Sequence, residues 1–265
     1  MSRPSSPLLT RRTLLRGTAL LAATSFVTIP ATAQWYDAML LADTHVVFWV
    51  TNYGRGPFYF APHDDENTGV TALESVLPET GGIFLQLRYG GTRNIGFRLN
   101  GTRYVCDPNR IFTDTGIRQT LRQLGDTYSE EAHQAVRTLR NAILGQISTR
   151  RPRSGLVVAL HNNTNNNYSI ESYLPGGQEA ADAGRVNRNP AIDRDDFFFT
   201  TVGGLYDALA AQGANVVEQS ANVADDGSLS VYCAQAGIPY VNVEAEDGHI
   251  SQQIALLRLL AAVMR

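Results

Sequence analysis

The sequence predicts an α/β fold, a single domain with a mixed, mostly parallel sheet and helices on both faces. Two observations predict the class: apolar runs of strand length alternate with segments of helical period, and about 232 residues remain once an N-terminal leader is set aside. One such domain fills that length and can bury a sizeable core. A third observation suggests where the chemistry lies. His63, His161 and Glu244 each follow an apolar strand-like run, and in open α/β sheets ligands bind at the carboxyl ends of the strands.

Residues 1–33 read as an address rather than as structure. Thr10-Arg11-Arg12-Thr13-Leu14-Leu15-Arg16 is a twin-arginine pattern, followed by the mildly apolar Gly17 to Pro30 and the small-x-small site Ala31-Thr32-Ala33. The apolar part is shorter than the roughly 20 residues that span a bilayer. The expectation is export by the twin-arginine route to a periplasmic or extracellular location, with a domain of residues 34–265 and no stable membrane anchor after cleavage. The formal charge of the whole chain is −3, and Arg3, Arg11, Arg12 and Arg16 leave with the leader, so the domain itself carries about −7. That balance excludes a nucleic-acid partner. Two cysteines, Cys106 and Cys233, make no disulfide framework, and whether they pair is left open by the sequence.

In chain order, Val46 to Val50 reads as a strand. Phe58 to Ala61 reads as another, ended by Pro62. Asn67 and Thr68 offer helix-capping oxygens before a helix over Gly69 to Leu77. Ile83 to Leu87 is a strand, and Asp107-Pro-Asn-Arg110 a turn. Ala132, Val136, Leu139, Ile143 and Ile147 recur at helical spacing within Ser129 to Gln146, which would leave His133 on a solvated face. Gly155 to Leu160 is a buried-type strand running into His161. Beyond it, Leu205 to Gln212 reads as helix, Asn215 to Glu218 as extended chain and Leu229 to Ala236 as helix. Tyr240 to Val243 is a strand leading into Glu244, and Ile250 to Met264 a closing apolar helix.

His63 and Glu66 sit three residues apart on the loop after their strand. An imidazole and a carboxylate at this spacing can reach one divalent ion, and a zinc ion held by such ligands needs one more. His161 is the candidate for the third position. Asn109 and Arg110 offer an amide donor and a planar fork of the kind that grips a carboxylate by two hydrogen bonds.

Four stretches then resemble one family. His63-Asp-Asp-Glu66-Asn-Thr-Gly69 looks like the H-G-N-E-x-T-G motif of the aspartoacylase and succinylglutamate desuccinylase family, within the zinc carboxypeptidase clan. Thr102-Arg-Tyr104 with Asp107-Pro-Asn-Arg-Ile-Phe112 resembles its T-R-Y-x-x-x-D-L-N-R-I-F segment with one residue deleted. Leu160-His-Asn-Asn-Thr164 is similar to its D-L-H-N-T-T stretch, and Val243-Glu244 to its strand-end glutamate. The resemblance implies a zinc carboxypeptidase-like fold and one Zn²⁺ per chain on His63, Glu66 and His161. It further implies Arg103 polarising the scissile carbonyl, Asn109 and Arg110 holding a substrate carboxylate, and Glu244 activating the water. The expected activity is hydrolysis of an amide in a small molecule or peptide bearing a free carboxylate. The alternatives are a metallocarboxypeptidase acting on cell-wall or other peptides, and a non-catalytic carboxylate-binding protein on the same scaffold.

The chain also departs from the pattern. Ala159 stands where the family has Asp before Leu-His, removing a partner of the histidine. Asp64-Asp65 replaces Gly-Asn and is expected to place negative charge beside the metal, and Pro108 replaces Leu. The deletion is expected to shift Arg103 against Asn109. With about 20 residues after Glu244, the site is expected to be more open than in aspartoacylases.

Overall fold

The computed structural model describes residues 33–152, 155–165 and 167–265; the leader expected over residues 1–33 lies outside them except for Ala33. The strands are β1 (Ala33–Leu41), β2 (Thr44–Asn52), β3 (Phe58–Ala61), β4 (Ile83–Arg88), β5 (Ile95–Leu99), β6 (Thr102–Cys106), β7 (Val157–Asn163), β8 (Ala183–Asn187), β9 (Phe197–Thr200), β10 (Val216–Gln219) and β11 (Tyr240–Glu246). The helices are α1 (Asn67–Thr80), α2 (Asp114–Gly125), α3 (Glu130–Arg150), α4 (Gly203–Ala211), α5 (Leu229–Gln235) and α6 (Ile250–Val263).

One mixed sheet of nine strands runs β1-β2-β4-β3-β7-β11-β9-β10-β8, and β5 and β6 form a separate hairpin. Its centre is parallel, β4 with β3, β3 with β7 and β7 with β11, while β2 joins β4 and β9 joins β11 antiparallel. Period-2 alternation splits each central strand between the two faces. Phe58, Phe60, Val157, Ala159 and Tyr240 pack beneath α2, α3 and α5. Tyr59, Ala61, Val158, Leu160, Val241 and Val243 pack against α1, α4 and α6. A single α/β domain with helices on both faces is therefore the architecture.

The helices form for local reasons that fit this packing. Ser129 Oγ accepts the Ala132 N–H at the start of α3, and the predicted stripe from Ala132 to Ile147 is buried. His133 is buried too, at 1% exposure, against Tyr128 and Arg137 rather than solvated as its spacing suggested. At α1 the expected caps do not form. Glu66 occupies the N-cap position without capping, its carboxylate turned toward the histidines, and Thr68 Oγ1 donates to Asp247 instead. Cys106 and Cys233 are both free and buried in the same core cluster, and burial raises both thiols, Cys233 to about 12.

Candidate metal centre

Three elements of the sheet's parallel centre deliver the site. Pro62 ends β3, so His63 enters the loop, and α1 begins at once, which fixes Glu66 one turn on. β7 brings His161 to its carboxyl end, and β11 lies parallel to it in a register that sets Glu244 against His161. Both side chains belong to the face carrying Ala159 and Tyr240.

Glu66 is the hub. Its Oε1 lies 2.7 Å from His63 Nδ1 and its Oε2 3.0 Å from His161 Nδ1. The Asn162 N–H (3.1 Å) and the Arg93 guanidinium also donate to it. All three side chains are buried, and their ligand atoms lie within 4.8 Å of one another. Two imidazole nitrogens and a carboxylate facing one point fit a single divalent ion with a position left for water or substrate. Burial alone would raise the Glu66 carboxyl, but the two histidines outweigh it and hold it below the usual range. Burial pushes His63 down, yet Glu66 and Asp107 more than reverse this and raise it to about 9.

The other ring nitrogens are held as well. His63 Nε2 lies 2.9 Å from Asp107 Oδ1, the oxygen that also accepts the Asn109 N–H at 2.7 Å. His161 Nε2 lies 3.4 Å from Asn109 Nδ2. A carboxylate on the far side of a ligating imidazole fixes its orientation and raises its basicity. Asp107 does this for His63. On the other strand Ala159 sits at 0% exposure in the core, where an Asp would have no water.

A cavity of about 440 Å³ opens from this cluster and is lined by Glu66, His161, Glu244, Asn109, Arg110 and Arg93, among others. Glu244 is 5% exposed; Asn242 donates to its Oε1, and its Oε2 has no hydrogen-bond partner among the described residues. Burial raises its carboxyl above the ordinary value against the pull of His161. Glu246 does not line this cavity; Asn165 donates to its Oε1. Arg110 lies 3.4 Å from Asp226 Oδ2, and Asn109 Oδ1 accepts the Leu229 N–H at 3.3 Å, tying the turn to α5.

Arg103 is the sequence-predicted site residue that the structure does not bring to the cluster. It lies exposed on β6, opposite Arg98, and lines a separate depression with Gly96 and Val105. Tyr104 is buried, so its neighbour Arg103 faces outward. The arginine that reaches the cluster is Arg93. Its loop is built on Asp64, whose Oδ2 accepts the N–H groups of Tyr89 (2.6 Å), Gly90 (2.8 Å) and Gly91 (2.7 Å). Gly90 and Gly91 take positive φ, the conformation glycine adopts at least cost. Asp64 thus shapes the arginine loop through three backbone bonds, a structural use of the charge that its place beside His63 had suggested for the metal. Gly90-Gly91 ahead of Arg93 was the signal available for this residue.

No family model matches the chain, and no curated protein matches it. Among solved structures it is similar to the succinylglutamate desuccinylase from Chromobacterium violaceum, at 11% identity and a TM-score of 0.45, over 88% of this chain and 69% of that one. It is similar to a succinylglutamate desuccinylase from Vibrio parahaemolyticus at 11% identity and a TM-score of 0.43, over 87% and 78%. It also resembles a murein-tripeptide amidase from Escherichia coli O157 at 13% identity and a TM-score of 0.37, over 79% and 81%. Succinylglutamate desuccinylases, to whose motifs the sequence is similar, are thus among the solved structures that the chain resembles.

Proposed function

We propose that the protein is a zinc-dependent hydrolase that cleaves an amide bond next to a free carboxylate, in an N-acyl amino acid or a peptide. The observation that carries this reading is the buried His63–Glu66–His161 group with Glu244 in register beside His161, in one cavity with Arg110. His63, Glu66 and His161 would hold the ion, with Asp107 orienting His63. When bound, a divalent ion there supplies Lewis acidity to the carbonyl and lowers the pKa of water toward about 7.

The chain's own groups supply the rest. Glu244 is placed to take a proton from water and return it to the leaving amine, and its raised carboxyl suits both duties. Arg93 on the cavity wall offers a guanidinium to the oxyanion as it forms. Arg110, with the Asn109 amide beside it, provides a forked donor for the carboxylate. A base with an unpaired oxygen beside the metal ligands favours catalysis over simple binding, because carboxylate capture alone has no use for it. The twin-arginine pattern at residues 10–16 is the reason for placing this reaction outside the cytoplasm.

The experiment is elemental analysis of the purified protein, followed by hydrolysis of N-acyl amino acids against their carboxyl-amidated analogues. One zinc per chain and strong preference for the free acids are expected. Absence of any metal after zinc is offered, or equal handling of acid and amide, would overturn the reading.

A further inference from the structure

We propose that the end of the cavity beyond Arg110 is a cation subsite. The residue whose free carboxylate Arg110 grips would then also carry an amine-terminated side chain. This rests on the hydrolase reading above and names the substrate class of the same site.

Glu179, Asp182 and Asp226 line that end of the cavity. Asp226 is matched by Arg110 at 3.4 Å, whereas Glu179 and Asp182 form no ion pair among the described residues. Burial and the neighbouring acidic groups raise both carboxyls above the ordinary range, against the pull of Arg110. Three acidic groups thus face the one guanidinium of Arg110, and half-buried like charges so close together are costly.

A second, independent feature points the same way. Gln219 is 8% exposed and lines the cavity, and its Oε1 has no hydrogen-bond partner among the described residues. The sheet fixes it beside the acidic pair. Gln219 is opposite Ala183 in the β8–β10 register, and the Ser220 N–H donates to the Asp182 carbonyl at 2.7 Å. Asn242, also 8% exposed and lining the cavity, likewise leaves its Oδ1 unpaired among the described residues. Buried side-chain oxygens without partners are rare, and these two need donors. An ammonium group offers three N–H donors and no acceptor.

Charge decides between a cationic and an acidic side chain. Glu66, Glu179, Asp182, Asp226 and Glu244 line the cavity against Arg93 and Arg110. Even with a divalent ion on the histidines the cavity stays negative, so a second substrate carboxylate would be opposed. Tyr173 and Phe199, both 7% exposed, add aromatic wall for the methylene stem of such a side chain.

The test uses the zinc-loaded protein with the Nα-acetyl derivatives of lysine, norleucine and glutamate, and calorimetric titration with free lysine and free norleucine. Acetyl-lysine should surpass acetyl-norleucine by about 10- to 100-fold, chiefly in KM, as a hydrogen-bonded charge implies. Acetyl-glutamate should fall below both. The preference should collapse in the double variant Glu179→Gln, Asp182→Asn and shrink in Gln219→Leu, with thermal unfolding confirming that each is folded. Equal treatment of lysine and norleucine in turnover and binding, or a lysine preference that survives the double variant, would overturn the subsite. Failure to hydrolyse all three would overturn the N-acyl amino acid form of the hydrolase reading, while lysine binding over norleucine would still decide the subsite.

Discussion

Replacing Asp107 by Asn isolates the bond that orients His63. The Asp107 carboxylate lies 2.9 Å from His63 Nε2, and Asn preserves the shape and an acceptor while removing the charge. A hydrogen bond involving an ionised group contributes about 1.5–3 kcal/mol, against about 0.5–1.5 kcal/mol for a neutral one. The difference of about 1–1.5 kcal/mol corresponds to roughly tenfold weaker metal binding, the lower end of the about 10–100-fold effect of losing such partners. Asp107→Ala removes the acceptor altogether and should approach the upper end. Competition against a chromophoric chelator measures zinc affinity directly. Unfolding of the metal-free variants, read alongside, separates this effect from the loss of the Asn109 N–H contact to the same oxygen. Metal affinity equal to wild type in both variants would refute the role given to Asp107.

Three further outcomes follow from the geometry. Glu244→Gln should lose about 10²–10⁴-fold in turnover while keeping its zinc, whereas Glu246→Gln should stay near wild type; turnover and metal content on both decide it. Arg93→Ala should lower kcat by roughly 10²-fold or more, as removal of an oxyanion donor does. Arg103→Ala, on the exposed hairpin, should leave kcat intact, and steady-state kinetics of the pair checks this. Asp114 joins α2 to Arg137 (2.7 Å) and Arg140 (2.8 Å) on α3. Burial opposes its ionisation slightly, but the two arginines hold it at about 2, below the ordinary 3.8. Its folded value is depressed, so its stabilisation is present above about pH 4 and fades as pH falls through about 2. The pair is half exposed, so Asp114→Asn should cost under about 1 kcal/mol near neutrality. The gap in thermal midpoint should narrow as the pH is lowered.

The parallel centre of the sheet was legible because its strands are short apolar runs with punctuation behind them. Pro62 after Phe58 to Ala61 marks a strand end without tertiary information, whereas β11 runs on past the apolar Tyr240 to Val243 through Glu246. α3 was legible from its 3.6-residue stripe. The outer elements lack such signals. β1 is exposed along most of its length, with Tyr36 at 65% and Leu40 at 57% exposure, so pairing with β2 rather than burial makes it a strand. α2 buries only Gly116, Ile117, Thr120 and Leu121, and its start depends on Thr113 Oγ1 accepting the Gly116 N–H at 3.0 Å. Phe197 to Phe199 in β9 carries no alternation because both of its faces are packed.

The site shows the same division between local signals and long-range ones. His63 and Glu66 are three residues apart, and the chain places them together by itself; His161 and Glu244 meet because β7 and β11 pair in parallel register. Arg93 could not be found that way, since what aims it is a carboxylate 29 positions earlier. Asp64 gathers the amides at 89–91, and Tyr89 Oη lies within hydrogen-bond distance of the carbonyl oxygens of Arg93 (2.8 Å) and Pro62 (3.1 Å). The loop bearing two of the three candidate metal ligands and the loop bearing the arginine are therefore one hydrogen-bonded unit. A disturbance at Asp64 would move Arg93 and His63 together. Asp64, directly after His63, serves this coupling.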